Sequence, residues 1–310
     1  MTTTINSAPD ITLDGEISSG FIVIGDLMTD IVCQVSSTPQ PGTDTNAVIT
    51  THGGGAGANV AAWLAHRGQV AHFVARAGAD SLGSIATSHL QSLGVECRVS
   101  VDPQRATGTC VVMVTSDGER TMMPDPGANA FLAPADLPEG DFKAGWHLHV
   151  SGYTLLKSGS RMAGLAALDL AQRRGMTCSV DVSSSAPLLE VGVDPFLEWS
   201  SGTNVCFANH EEAELITGHD DPNQAIAALL PHFDTVVVKL GPHGAVAGRR
   251  DGQHSTTPAV NLDVIDTTGA GDAFAAGFLI GWTAGQSLQD CLAPACVLAG
   301  RAVGAVGARP

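Results

Sequence analysis

Seven consecutive residues join an anion-attracting backbone to a carboxylate: Asp266-Thr267-Thr268-Gly269-Ala270-Gly271-Asp272. The Ala/Phe/Leu-rich run that follows reads as a helix over residues 270–284. Glycines at a helix start let the backbone come close to a ligand, and the free amides with the positive end of the helix dipole attract an anion such as phosphate. A carboxylate at that point is a poor phosphate binder. It is well suited to taking a proton from a hydroxyl that attacks phosphorus. The conjunction points to phosphoryl transfer, although by residue type alone the same aspartate also makes an ordinary helix cap.

A second glycine cluster, His52-Gly53-Gly54-Gly55-Ala56-Gly57-Ala58-Asn59, also leads into a helix. Its spacing fits neither GxGxxG nor a Walker A loop, and the chain has no Gly-Lys dipeptide, which argues against a dinucleotide or P-loop site. Amides and an asparagine at such a start can hold ligand hydroxyls. Gly25-Asp26-Leu27-Met28-Thr29-Asp30 puts two carboxylates at the carboxyl end of the first strand, where open α/β sheets bind ligands. Capping a turn is the plainer use of either.

With these residues in place, the chain resembles the ribokinase (PfkB-type) carbohydrate kinase family over essentially its whole length. The two glycine segments match both family signatures in order and spacing, and DTTGAGD is the more specific of them. Asn209-His210-Glu211-Glu212 resembles the family's Asn-x-x-Glu motif, and Val238-Lys239-Leu240-Gly241-Pro242-His243-Gly244 its nucleotide-binding strand and turn. The resemblance implies an ATP-dependent sugar kinase with Asp272 as general base and the amides of Gly269, Ala270 and Gly271 as an anion hole. Asp30, Gly54, Gly55 and Asn59 match substrate-binding positions, with Asp26 beside them. Asn209, Lys239, Gly241 and Gly244 fall on the nucleotide side. Glu212 would act on magnesium through water, since magnesium keeps several of its own waters. Asp266 and Thr268 match positions that coordinate a monovalent cation in several members, which extends the expectation to potassium. For Lys239, reaching the phosphates and pointing to solvent both remain open.

The elements that must position these residues follow from apolar patterning. Short β-branched runs at 21–24, 70–75, 147–150, 177–182, 203–207 and 234–240 read as buried strands. Ala/Leu-rich stretches of helical length lie at 57–67, 81–93, 160–174, 209–217, 222–230, 270–284 and 287–303. Strand and helix alternate, so the fold class is α/β: a mainly parallel sheet covered on both faces, which the resemblance makes a ribokinase-like three-layer αβα sandwich. Residues 31–52 and 106–124 break the rhythm with β character around the turn signal Ser116-Asp117-Gly118. They are expected to pair into a small β-sheet lid, leaving 1–30, 53–105 and 125–310 as the large domain. The family dimerises through such a lid, so a homodimer is implied.

The bulk composition is consistent with a small-molecule enzyme. With 15 basic and 31 acidic side chains the formal net charge is -16, which repels nucleic acid and anionic lipid. Only Lys143, Lys157 and Lys239 are lysines; amides, arginines or a metal must neutralise most of any phosphate. The seven cysteines are scattered without a Cys-x-x-Cys pair and read as buried reduced thiols. The first twenty residues lack a secretory pattern and no apolar run spans a bilayer, so a cytoplasmic protein is expected.

The acceptor depends on the lid. Residues 31–52 and 101–130 contain no Phe, Tyr or Trp, whereas a nucleoside base favours aromatic faces. A ribose-like pentose or related furanose is therefore preferred to a nucleoside, unless Phe131, Tyr153 or Trp63 supplies the ring. Arg105 and Arg120 lie in or beside the second lid segment. Either could grip an acidic sugar such as 2-keto-3-deoxygluconate or a sugar phosphate, or simply be solvated. His147 and His149 share one face of a strand and read as structural.

Overall fold

The computed structural model describes residues 19–115, 120–260 and 263–310. In chain order its elements are β1 Phe21–Ile24, β2 Met28–Val35, β3 Ala47–Gly54, α1 Ala56–His66, β4 Ala71–Gly78, α2 Ser81–Ser92, β5 Glu96–Asp102, β6 Gly108–Val114, β7 Arg120–Asp125, β8 His147–Ser151, α3 Gly152–Leu156, α4 Arg161–Arg173, β9 Thr177–Asp181, α5 Ser185–Val191, α6 Val193–Ser200, β10 Val205–Asn209, α7 His210–Thr217, α8 Pro222–Leu229, β11 Thr235–Lys239, β12 Ala245–Arg249, β13 His254–Thr257, α9 Ala270–Thr283 and α10 Leu288–Val303.

Nine strands form one sheet in the order β13-β12-β11-β10-β9-β8-β1-β4-β5. Its pairs are parallel except β11–β12 and β12–β13 at one edge. Successive residues of a strand face opposite sides, and both sides here are apolar. In β1, Phe21 and Val23 join the core under α1, α9 and α10, with Phe73, Phe207 and Phe278. Ile22 and Ile24 join the core on the other face, with Phe142, Phe196 and Phe233. Two cores divided by one sheet make the three layers, and they aim the carboxyl ends of the parallel strands at a common edge. His147 and His149 belong to this interior: they hydrogen-bond to Thr177 and Ser179 at 2.8 Å, and burial holds their pKa values down to about 3 and about 4.

The two β-rich stretches pair into a separate sheet, β3-β2-β6-β7, with β2–β6 parallel and the outer pairs antiparallel. Met28, Cys110 and Val112 form its small core. Strand β2 starts at Met28, so Asp30 stands on the small sheet, paired with His52 and Cys110. The Ser116-Asp117-Gly118 turn signal lies outside the described residues. Three strands carry weak signals in the sequence: β5 mixes Glu96 and Arg98 into a half-exposed edge, and β12 and β13 are short and rich in Ala, Gly and Thr.

Candidate active site

Asp272 lies in the first turn of α9, which no side chain caps. The turn before it needs glycine: Gly269 has φ 75°, and a Cβ there would lie 2.5 Å from the Ala308 Cβ. The Ala270 amide has only a long contact, 3.4 Å to the Thr267 carbonyl, so the helix opens on an underused backbone donor. Asn59 Nδ2 donates to Asp272 Oδ2 at 2.8 Å. Burial pushes the Asp272 carboxyl up to about 7, Asn59 and Lys239 opposing the rise and Asp181 and Asp26 adding to it. A carboxylate poised near neutrality matches what a general base requires.

Asp26 and Asp30 approach from the end of β1. The Asp26 Oδ2 accepts from the Ala56 amide at 3.3 Å, and its buried Oδ1 has no hydrogen-bond partner among the described residues. Burial raises its pKa, and raises that of Asp30 to about 6 against the pull of Arg309. Gly54 lacks the Cβ that would collide with the Asp30 carboxylate, and Gly55, at φ 95°, lies against the Asp26 carbonyl. Asn129 fixes the intervening turn, accepting from the Leu27 amide and donating to the Leu27 carbonyl, both at 2.9 Å.

On the other side, Asn209 and Glu212 form a reciprocal cap: Asn209 Oδ1 accepts from the Glu212 amide and Glu212 Oε2 from the Asn209 amide, each at 2.8 Å. Burial raises the pKa of Glu212, with Lys239 opposing and Asp181 adding. Lys239 neither points to solvent nor stands free. Its Nζ donates to Asp181 Oδ2 at 2.6 Å and lies 3.3 Å from where a Cβ of Gly271 would be. Burial opposes its charge, but Asp181 and Glu212 outweigh that and raise its pKa. Gly241 and Gly244, at φ 56° and 92°, close the β11–β12 hairpin; a Cβ on Gly244 would strike the Thr257 carbonyl. Among the described residues no three His, Cys, Asp or Glu side chains converge on a metal position.

Asp266 is fully engaged. Its Oδ1 accepts from the Thr268 amide at 2.8 Å and Arg120 Nη2 at 3.0 Å, and its Oδ2 from the Gly307 amide at 3.0 Å. Arg120 Nη1 also donates to Thr267 Oγ1 at 2.6 Å. A guanidinium thus holds the carboxylate that the resemblance assigned, with Thr268, to potassium, and competes with any cation for it. Arg105 is likewise occupied, pairing with Asp102 at 3.2 Å and stacking 3.5 Å above the Phe131 ring.

Three further residues join the same cluster. Asp181 ends β9, Tyr153 follows β8, and Arg309 reaches Asn59 Oδ1 at 3.2 Å and the Gly54 carbonyl at 2.6 Å. Burial pushes the Tyr153 phenol up to about 12, with Asp26, Asp272 and Glu212 nearby. Of the three, only Tyr153 had a signal in the sequence, as a spare aromatic. Asp181 and Arg309 belong to no motif.

Comparison with known proteins gives the same family at every level. A fructokinase of Klebsiella pneumoniae is 37% identical over 251 residues, covering 77% of this chain and 80% of that protein. A mouse ribokinase is 30% identical over 310 residues, 94% of this chain and 91% of its own. The crystal structure of adenosine kinase from Sinorhizobium meliloti superposes with a TM-score of 0.86 at 26% identity, over 94% of this chain and 95% of that one. The profile of the "pfkB family carbohydrate kinase" matches residues 19–310. An uncapped glycine turn with a half-buried aspartate, a second glycine segment hydrogen-bonded to it, and these relatives lead to one conclusion: the chain belongs to the pfkB family of carbohydrate kinases and is an ATP-dependent kinase.

Proposed function

We propose that the enzyme transfers the γ-phosphoryl group of ATP to a hydroxyl of a small, neutral, furanose-forming sugar, of the ribose or fructose kind, with Asp272 accepting the hydroxyl proton. The observation that carries this reading is the 2.8 Å bond from Asn59 to Asp272, which ties the base to the segment expected to hold the sugar. Asp30, the unpartnered Oδ1 of Asp26, and Asn59 offer acceptors and donors for sugar hydroxyls.

The transfer is in-line and direct. The hydroxyl loses its proton to Asp272 as it attacks, while the amides of Gly269, Ala270 and Gly271 at the α9 start stabilise charge on the moving phosphoryl group. Magnesium, when bound with the nucleotide, supplies charge neutralisation on the phosphates; Asn209 and Glu212 are the residues that would orient its waters. Gly241 and Gly244 offer a flat backbone to the nucleotide. The small sheet acts as a lid that excludes water. On its two edge strands Val48, Ile49, Met122 and Met123, spread over both faces, are more than half exposed, apolar surface that suits pairing of two lids in a homodimer.

Two features favour a neutral sugar. Strands β2, β3, β6 and β7 carry no aromatic residue to stack a base. The arginines suited to an acidic group, Arg105 and Arg120, are paired with Asp102 and Asp266. The test is ADP release from magnesium-ATP with fructose, ribose, 2-keto-3-deoxygluconate and adenosine. Fructose or ribose should be turned over, and Asp272→Asn should lower kcat by about 10²–10⁴-fold while ATP still binds. Preference for adenosine would transfer the acceptor site to Tyr153, and an active Asp272→Asn variant would remove the base assignment.

A further inference from the structure

We propose that Arg309 is a positioning residue for the catalytic base, acting through Asn59. This rests on the reading of Asp272 as base.

The argument starts from hydrogen-bond polarity. An asparagine amide has one accepting and one donating end. Arg309 can only donate, and its Nε donates to Asn59 Oδ1 at 3.2 Å. That contact fixes the oxygen toward Arg309 and leaves Nδ2 to donate to Asp272 Oδ2 at 2.8 Å. Were the amide reversed, an oxygen would face the carboxylate and an NH₂ would face a guanidinium, and both contacts would be repulsive. Arg309 therefore selects the orientation of Asn59 that holds Asp272 ionised and pointed.

The fold invests several contacts in placing this guanidinium. Arg309 Nη2 donates to the Gly54 carbonyl at 2.6 Å, and Nη1 lies 3.4 Å from His89 Nδ1. Gly53 leaves the room: a Cβ there would lie 2.6 Å from Arg309 Cζ. The two preceding residues are also tied down. The Gly307 amide donates to Asp266 Oδ2 at 3.0 Å, and the Ala308 carbonyl accepts from Trp63 Nε1 at 2.9 Å. Residues 307–309 thus join both glycine segments.

The groups around Asp272 are Asn59, Asp26, Asp181, Lys239, Tyr153 and Arg309. Those around Arg309 are Asp30, Asp26, Asp272, Cys97 and His89. Carboxylates outnumber cations, so the guanidinium is already matched and is not an open receptor for an anionic substrate. Its burial lowers its own pKa to about 10, still charged at neutral pH.

The experiment is the pH profile of kcat/KM with the best sugar acceptor. The base must be ionised, so activity falls as pH drops through its pKa. Removing the nearby cation and loosening Asn59 both favour the protonated carboxyl. Arg309→Met should move the acidic limb up by about one unit, costing about tenfold at pH 6 and under about twofold at pH 9. Arg309→Lys, which keeps the charge, should restore most of the limb's position. Gly53→Ala, which displaces the guanidinium and leaves the other side chains in place, should shift it in the same direction and decides the matter if Arg309→Met does not fold. A purely structural role would lower Tm and leave the limb where it is, and that result in a folded variant overturns the proposal. Asp272→Asn run alongside separates the two readings: an inactive Asp272→Asn with an unmoved limb sinks the Arg309 assignment alone, whereas an active one sinks the base.

Discussion

The two glycine segments look alike as sequence and both yield space to the protein, but only the second opens a helix on an uncapped backbone. In 52–59 the missing side chains make room for the protein itself: Arg309 lies against Gly53, Asp30 against Gly54, the Asp26 carbonyl against Gly55, and Gly25 against Gly57. In 266–272 the glycines serve the turn and leave backbone donors at the α9 start uncapped for a ligand. A half-buried cation lies beside each segment, Arg309 at the first and Lys239, paired with Asp181, at the second. Glycine richness is therefore a weak guide to what fills the space it leaves.

The largest expected effect breaks the charge balance of the second segment. In Lys239→Met the Asp181 carboxylate loses its 2.6 Å partner, and Glu212 its nearest cation, in a setting where both partners of the pair are mostly buried. Breaking a buried pair by removing one member costs about 3–5 kcal/mol, because the remaining charge is left uncompensated. Denaturant unfolding at pH 8 should report a loss of that order. The deficit should narrow as pH is lowered and Glu212, whose pKa burial raises, takes up its proton. A loss under about 1 kcal/mol would mean that Lys239 does not carry the balance.

Much of this arrangement was legible before any coordinates. Helices at 81–92, 222–229 and 270–283 and strands at 21–24 and 235–239 follow apolar runs bounded by Gly, Asp and Pro, since a buried parallel strand and a packed helix leave continuous apolar signatures. Asp272, Asn59, Asp30 and Gly54 stood out because each falls in a local motif that the family resemblance picks out. Arg309 was not: it meets Asn59 across 250 residues of chain, and nothing around it in sequence has a period or a turn signal. Asp181 reads as one more carboxylate at a strand end until Lys239 is seen beside it. The direction of Lys239 was open for the same reason, because a lysine on a strand terminus can turn inward or outward and only the packing of Gly271 against it decides.

A paired glycine experiment sharpens the contrast at intermediate size. Gly54→Ala puts a methyl group into the Asp30 carboxylate without forcing a left-handed backbone. It should raise KM for the sugar about a hundredfold, about 2.7 kcal/mol, with a small change in Tm. Gly269→Ala combines φ 75° with a Cβ 2.5 Å from Ala308. Left-handed backbone costs an alanine about 1–2 kcal/mol before any clash is counted, so the loss should fall on stability. If both variants lose only stability, the first segment is scaffold and the sugar lies elsewhere.

The smallest effect concerns the ionic link that, among the described residues, joins the small sheet to the second segment, Arg120 to Asp266. Arg120 is 24% exposed and Asp266 13%, so the pair is partly screened and its loss in Arg120→Gln should cost only about 1 kcal/mol or less. Its consequence for chemistry is more specific. With the guanidinium gone, Asp266 Oδ1 keeps the Thr268 amide and regains a free direction, which makes the carboxylate available to a monovalent cation. Turnover of Arg120→Gln in potassium chloride, divided by turnover in sodium chloride at equal ionic strength, should therefore exceed the same ratio for the parent enzyme. The sugar KM should also rise modestly, since the strand that carries Arg120 pairs with β6 and, through it, with the strand that carries Asp30. Equal ratios with an unchanged KM would show that the small sheet and the glycine turn of α9 are energetically independent, and would confine the coupling between the two glycine segments to residues 307–309.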